Sequence, residues 1–264
     1  MIIRILGCHG SELTTTDTRG VAHPCRACGF LVNGTCMVDA GSISAGLLDT
    51  EQDKIRHVLL SHAHFDHIKG LPLLADNMIG RTQGGAINVW GLPEVLNTVR
   101  QHIFNNAIYP DFTRLPTVQE APLVFQPFPD EKPISLDGLE VTSVRVTHTV
   151  PAVGFIVRDA EAAFLYSGDT SETQHLWEVG RRERQLKAAF IETSFPNDLQ
   201  ALARTTGHLT PAMLGREIAK LDRPEIAVYA YHLKPSYRDR IAAELKALRL
   251  PNLHLLEEDQ VIRI

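Results

Sequence analysis

Ser61-His62-Ala63-His64-Phe65-Asp66-His67-Ile68-Lys69-Gly70 carries three histidines and an aspartate within six positions, 62 to 67. The preceding Ile55-Arg56-His57-Val58-Leu59-Leu60 is a short apolar run with β-branched residues, and Ile68 to Leu74 reads as the opening of a helix. The cluster therefore sits on a strand-to-helix loop, where rigid elements commonly hold catalytic and metal-binding groups. On extended backbone His62 and His64 point the same way, because side chains alternate with period two. Asp66 and His67 fall where the chain turns and face a second point. One short loop can thus serve two neighbouring metal ions. Surface histidines beside a helix start, with Asp66 favouring the helix dipole, are the plainer reading, but they leave the density of the cluster unexplained. Imidazole nitrogens and carboxylate oxygens are ligands for zinc, iron or manganese, and a set without thiolate fits hydrolytic metals.

The order His-X-His-X-Asp-His resembles the signature of the metallo-β-lactamase superfamily. That resemblance implies an α/β fold, a four-layer αββα sandwich of two mixed sheets packed face to face with helices outside. The chain of 264 residues is long enough for such a sandwich as one domain, 1–264, with its own large core. Hydrophobic residues make up 44% and charged residues 22%, which excludes a largely disordered chain. A formal net charge of −5 argues against a broadly basic nucleic-acid surface. No apolar run reaches the roughly 18 residues that a membrane span needs. Met1 to Gly7 is too short and too strand-like for a secretory signal, so a cytoplasmic protein is expected.

Around that loop the chain reads as follows. Met1 to Gly7 is a first or edge strand, and Cys8 to Cys28 a polar loop at the rim of a site. Asn33-Gly34 between two apolar runs predicts a hairpin with a two-residue turn, ending in Asp39-Ala40-Gly41. Asp39 is read as a buttress of the histidine loop or a cap, not a ligand. Cys8, Cys25, Cys28 and Cys36 lie in the first part, and Cys25-Arg26-Ala27-Cys28 has zinc-knuckle or redox spacing, with Cys8 and Cys36 or His23 to complete a site. Free, partly buried thiols are the competing reading and the favoured one, since Cys36 falls inside a strand. Phe104, Tyr109 and Phe112 either cover a base or pack onto the core. Leu253 to Glu257 and Gln260 to Ile264 read as a terminal pair finishing a sheet.

His148, Asp169 and His232 each follow a run that reads as a strand. With the loop they make five histidines and two aspartates at strand ends, one convergent site. His62, His64 and His148 are assigned to one ion, Asp66, His67 and His232 to a second, and Asp169 to the bridge. The superfamily resemblance implies the same layout, position by position. Two divalent ions, most simply Zn2+ with Mn2+ or Fe2+ as alternatives, lower the pKa of a bridging water and clamp attacking and leaving oxygens. Four positive charges less two aspartates and a hydroxide leave about +1, which a singly charged phosphodiester neutralises.

Phe190-Ile191-Glu192-Thr193-Ser194-Phe195-Pro196-Asn197 and Gly207-His208-Leu209-Thr210-Pro211 come later. Thr210 and Pro211 read as the N-cap and first residue of a helix to Leu221, which leaves His208 without a structural task. Glu192 at a strand end is expected to hold His208 as a charged proton donor. These stretches, with Phe164-Leu165-Tyr166-Ser167-Gly168-Asp169-Thr170 and Leu176-Trp177-Glu178, resemble the class II cyclic-nucleotide phosphodiesterases, related to the tRNA 3′-end-processing endonucleases. The Cys-bearing loop lies outside that pattern, while Leu209, where the endonucleases carry a small polar residue, favours the cyclic-nucleotide branch.

The resemblance implies hydrolysis of cAMP or cGMP to the 5′-monophosphate by a metal-bridging hydroxide, with His208, Glu192 and Asp66 as the catalytic residues. The expected partner is a small cyclic nucleotide, with no membrane and no stable nucleic-acid partner. A homodimer pairing Asn105 to Arg114 across its interface is a further expectation. An RNA-end endonuclease lacks its basic arm here, and a lactonase or thioesterase needs less from His208. A metal-bound sensor without turnover would need no proton donor.

Overall fold

The computed structural model describes residues 1–16, 20–43, 46–81 and 85–264. In the first half the chain forms β1 (Ile2–Gly7), β2 (Leu13–Thr16), β3 (Ala22–Cys25), β4 (Gly29–Val32), β5 (Cys36–Val38), α1 (Asp49–Gln52), β6 (His57–Leu59), α2 (Phe65–Ile68), α3 (Gly70–Met78), β7 (Ile87–Gly91), α4 (Pro93–His102) and β8 (Leu123–Pro127). The second half adds β9 (Ile134–Leu136), β10 (Leu139–Arg145), β11 (Val153–Arg158), β12 (Ala163–Tyr166), α5 (His175–Arg182), β13 (Leu186–Glu192), α6 (Gln200–Thr206), α7 (Pro211–Leu221), β14 (Ala227–Tyr231), α8 (Arg238–Ala247), β15 (Leu253–Leu255) and β16 (Val261–Arg263).

One sheet runs β16-β1-β4-β5-β6-β7-β8 and the other β15-β14-β13-β12-β11-β10-β9. Both mix parallel and antiparallel pairs. The second sheet is buried on both faces, so its strands read as nearly continuous apolar runs. Period two still divides them. Phe155, Val157, Phe164, Tyr166, Phe190 and Tyr231 face the first sheet. Ile156, Leu165, Ala189, Ile191, Val228 and Ala230 face the layer of α5, α7 and α8, among Trp177, Leu214 and Ile241. Leu71, Leu74, Val95 and Val99 bring α3 and α4 onto the first sheet. These are the four layers of an αββα sandwich.

Phe30 of β4 pins the sheets together, with Tyr166 and Phe190 edge-on at 5.3 Å and Tyr231 at 5.5 Å. Burying one such ring contributes roughly 1.5–3 kcal/mol. Trp177, set in the helical layer, donates its indole N–H to the buried Glu217 at 2.6 Å. None of the described helices is long and apolar enough to cross a membrane.

Of the two readings of Met1 to Gly7, β1 is the first strand and not an edge, since β16 and β4 flank it, and three other expectations change. The Asn33-Gly34 connection is a three-residue loop, since Val32 pairs with Cys36, although Asn33 and Gly34 do take the positive φ values of 49° and 76°. The span from Cys8 to Cys28 is not all loop, because β2 and β3 pair within it as a hairpin; its residues 17–19 lie outside the described residues. Finally, β15 and β16 do not pair with each other. β15 extends the second sheet beside β14 and β16 the first beside β1, because the few residues between them cross from one sheet to the other.

Candidate metal and active site

The site lies where strands of both sheets end. β6 delivers the chain to Ser61, whose backbone N–H and hydroxyl both donate to Asp39, at 2.8 Å each. The chain stays extended through His64 (φ −67°, ψ 146°) and then turns into α2, which carries Asp66 and His67. Gly41 is required beside it, because a Cβ there would sit 2.0 Å from the Asp66 carbonyl oxygen. From the second sheet, His148 follows β10, Asp169 follows β12, Glu192 ends β13 and His232 follows β14. Ligand sites at the carboxyl ends of parallel strands are a general property of α/β sheets.

All seven expected ligands come together. The donor atoms of His62, His64, His148 and Asp169 lie within 4.8 Å of one another, and so do those of Asp66, His67 and His232. Asp169 Oδ2 stands between the groups, 3.6 Å from His62 Nε2, 3.4 Å from His67 Nε2 and 3.2 Å from His232 Nε2.

Four of the rings are anchored from behind. His62 Nδ1 meets the Ser61 hydroxyl at 3.0 Å, His67 Nδ1 meets Asp39 at 2.7 Å, His148 Nδ1 meets the Gly207 carbonyl at 2.8 Å, and His232 Nδ1 meets the Ser194 hydroxyl at 2.8 Å. Each anchor leaves Nε2 for the interior, the arrangement that orients metal-ligating histidines. Gly207 has φ 74°, and a Cβ there would lie 2.8 Å from His148 Nδ1, so only glycine permits that anchor. Asp39 and His232 themselves hold positive φ values of 56° and 66°, strain of the kind that collects at functional sites.

The same atoms test whether cations fit. His67 Nε2 and His232 Nε2 face each other at 3.2 Å, as do His64 Nδ1 and His148 Nε2. Two nitrogens held about 2.0–2.1 Å from one tetrahedral ion sit roughly 3.3 Å apart. Buried His62 Nε2 and Asp169 Oδ1 have no hydrogen-bond partner. Buried polar atoms are normally satisfied, so converging orphans of this kind fit divalent cations. The imidazole and carboxylate donor set fits zinc, manganese or iron. Burial raises the pKa of the Asp169 carboxyl, but the His232 and His67 rings outweigh it and hold Asp169 well below the usual carboxylate range. Burial, followed by the His67 charge, pushes His62 well below the ordinary imidazole value.

His208 stands beside the ligands, its ring stacked 5.4 Å from that of His232 and 5.1 Å from that of His148. Its Nδ1 pairs with Glu192 Oε1 at 2.9 Å and lies 3.2 Å from the Ser194 hydroxyl. Burial pulls its pKa down, yet the Glu192 carboxylate and the hydrogen bond to it hold His208 above the ordinary imidazole value. The helix expected after it begins at Pro211, capped by the Thr210 hydroxyl.

Three supporting residues had no role assigned from sequence. Ser61 bridges Asp39 and His62, Tyr166 donates its hydroxyl to Asp39 at 2.7 Å, and Ser194 links Glu192, His208 and His232. Tyr166 hides in an apolar run, and only the place of Ser194 two positions after Glu192 is a visible signal. Asp39 acts as the buttress expected of it.

Elsewhere the cysteines do not assemble as a four-ligand set. Among the described residues no three-ligand group contains two of them; Cys8 gathers instead with His9 and Glu258. All four thiols are free and buried. Of the aromatic residues, Phe104 and Phe112 are buried in the core and Tyr109 lines a surface recess.

Residues 40–232 match the model of the beta-lactamase superfamily domain. The chain is 27% identical over 213 residues to a probable 3′,5′-cyclic-nucleotide phosphodiesterase of Yersinia pestis, an alignment covering 71% of this chain and 59% of that protein. It is 31% identical over 143 residues to a ribonuclease Z of Methanococcus maripaludis, covering 54% of this chain and 44% of that one. Unliganded yeast PDE1 shares the fold, with a TM-score of 0.77 at 20% identity over 98% of both chains.

Proposed function

The chain belongs to the beta-lactamase superfamily, and from that premise we propose that it is a metal-dependent phosphodiester hydrolase opening 3′,5′-cyclic nucleotides to 5′-monophosphates. One observation carries the reading: a buried imidazole, His208, pairs with the Glu192 carboxylate at 2.9 Å and stands 4.0 Å from Asp169, at the edge of the ligand cluster. Hydrolysis of a phosphodiester expels an alkoxide, which a protonated His208 can neutralise.

His62, His64 and His148 would hold one divalent ion and Asp66, His67 and His232 a second, with Asp169 shared. Such ions, zinc first and manganese or iron as alternatives, supply Lewis acidity and lower the pKa of water. The chain does the rest. Glu192 accepts a hydrogen bond from the Nδ1–H of His208, so the acidic proton is presented from Nε2 to the departing 3′-oxygen. Ser194 fixes Glu192, His208 and His232 together, so donor and ligand keep one spacing. Asp39, receiving Ser61 and Tyr166, holds His67 in a single tautomer. Preorganisation of this kind removes the cost of reorienting groups during reaction.

The likeness to ribonuclease Z supports a second reading, cleavage of RNA ends. The net charge of −5 weighs against it, since RNA affinity draws heavily on phosphate neutralisation. Lactone or thioester hydrolysis suits the same metals but leaves the Glu192–His208 pair without a task. Four free thiols fit a reducing compartment, and the cytoplasm is the proposed location.

Phosphorus NMR of metal-loaded protein with cAMP, cGMP and a linear dinucleotide tests the proposal. Metal-dependent 5′-monophosphate from the cyclic substrates is expected. Cleavage of the linear diester alone would favour the nuclease, and an unchanged spectrum would favour carbon esters.

A further inference from the structure

Beside the histidine loop lies a recess of about 440 Å³. Its apolar walls include Phe65, Leu73, Ile108 and Tyr109, and Glu12 and Lys69 stand at its polar end. Phe65, Leu73 and Ile108 are 65%, 50% and 68% exposed. Large apolar side chains gathered around one hollow, rather than scattered singly, mark a binding site. The volume lies within the range of roughly 300–1,000 Å³ typical of small-ligand pockets.

The recess adjoins the histidine loop through Phe65, Lys69 and Gly70. Phe65 falls between His64 and Asp66, two of the candidate ligands, and Lys69 lies two residues beyond His67. The Glu12 carboxylate pairs with the Lys69 ammonium and accepts from the Ser42 hydroxyl at 3.4 Å. An apolar recess with a carboxylate and an ammonium in its lining is complementary to a purine, whose faces stack and whose edge offers both N–H donors and ring acceptors.

We propose that this recess is the base pocket of the candidate active site, taking the purine of a nucleotide whose phosphate lies at the neighbouring histidine and aspartate cluster. The inference rests on the reading of that cluster as a nucleotide phosphodiesterase site. Phe65 supplies the stacking face, Ile108 adds a second apolar contact, and Glu12 accepts from the base edge. A second copy of the chain is the weaker occupant, because a standard protein interface engages roughly 20–30 residues on each side.

Titration calorimetry of the metal-loaded protein with 5′-GMP, 5′-AMP and ribose 5-phosphate separates base from phosphate. The nucleotides should bind about tenfold or more tightly than ribose 5-phosphate, the scale of one base–aromatic stack. Phe65→Ala and Ile108→Ala should each shrink that gap severalfold and leave ribose 5-phosphate binding unchanged. Both side chains are largely exposed, so an unchanged melting temperature is expected and shows that the fold is intact. Nucleotides binding no better than ribose 5-phosphate, or a gap that survives both variants, would overturn the assignment. So would a wild-type dimer in sedimentation that Phe65→Ala dissociates. Opening of cyclic nucleotides without the gap would leave the activity standing and remove the pocket. The gap without opening would keep the pocket and remove that activity.

Discussion

Two clusters of metal-competent side chains meet at His232, and they differ in what their donor atoms already touch. The seven-residue cluster leaves His62 Nε2 and Asp169 Oδ1 buried without partners, and its facing imidazole nitrogens approach to 3.2 Å. Cys8, His9 and Glu258 also converge, and the Cys8 carbonyl receives the His232 N–H at 2.7 Å. Here each of the three side chains already has a hydrogen-bond partner. The Cys8 thiol donates to the Leu256 carbonyl at 3.5 Å, His9 Nδ1 meets Glu258 at 3.0 Å, and the Arg26 backbone N–H donates to the same carboxylate. Burial, then the Glu258 charge, pushes the Cys8 thiol well above its ordinary pKa, away from the thiolate that binds metal. Ligand-type residues in proximity are therefore not enough; what separates the clusters is unmet bonding capacity.

The largest effect that sharpens this contrast is expected from Asp169→Ala. Removing the carboxylate shared by both halves should lower bound metal per chain, measured by elemental analysis, and cut hydrolysis roughly a thousandfold or more. Full metal content in that variant would break the comparison at its stronger side.

Next comes His208→Ala, expected to lower kcat about a hundredfold while metal content stays at the wild-type level. The pH profile gives the sign. Glu192 raises the His208 pKa, so the acid form persists to higher pH than an ordinary imidazole allows, and kcat should fall as pH rises through that value. Glu192→Gln removes the charge that raises it. The alkaline limb should then move to lower pH, and an unmoved limb would sever the pair.

Asp39→Asn tests the buttress. The amide keeps one acceptor where the carboxylate receives Ser61 twice and Tyr166 once and also pairs with His67. Metal affinity should weaken about ten- to a hundredfold, measured by competition with a chelator. A variant of unchanged affinity would confine Asp39 to holding the loop.

Legibility in the sequence followed the range of the interaction. The loop from His62 to His67 was readable because its spacing is local, and His148, Asp169 and His232 because each ends an apolar run. Asp39, although 28 positions upstream of His67, was readable as a buttress because it leaves a strand before a glycine, whereas Tyr166 lies 127 positions from Asp39, a distance at which no local pattern survives. The β2–β3 hairpin was missed because its threonines, proline and histidine carry no clean alternation. The split of β15 from β16 was missed because two short strands near the terminus look alike until the sheets exist to receive them. The recess beside Phe65 draws on residues from Glu12 to Tyr109, and no single stretch announces it.

The smallest expected effect is the most direct test of the contrast. Cys8→Ser keeps a hydroxyl that can donate to Leu256 but offers a poor metal ligand, so a site at Cys8, His9 and Glu258 would lose an ion. If unmet bonding is what defines a site, bound metal per chain should stay unchanged and hydrolysis should remain within about twofold of wild type. The neighbouring charges support that outcome: Arg26 bridges to Asp259 at 2.8 Å beside Glu258, placing a fixed cation where a second would be repelled. Loss of one ion per chain with activity intact would show that hydrogen-bonded donors can release their partners to a metal, and the distinction between the clusters would then fall.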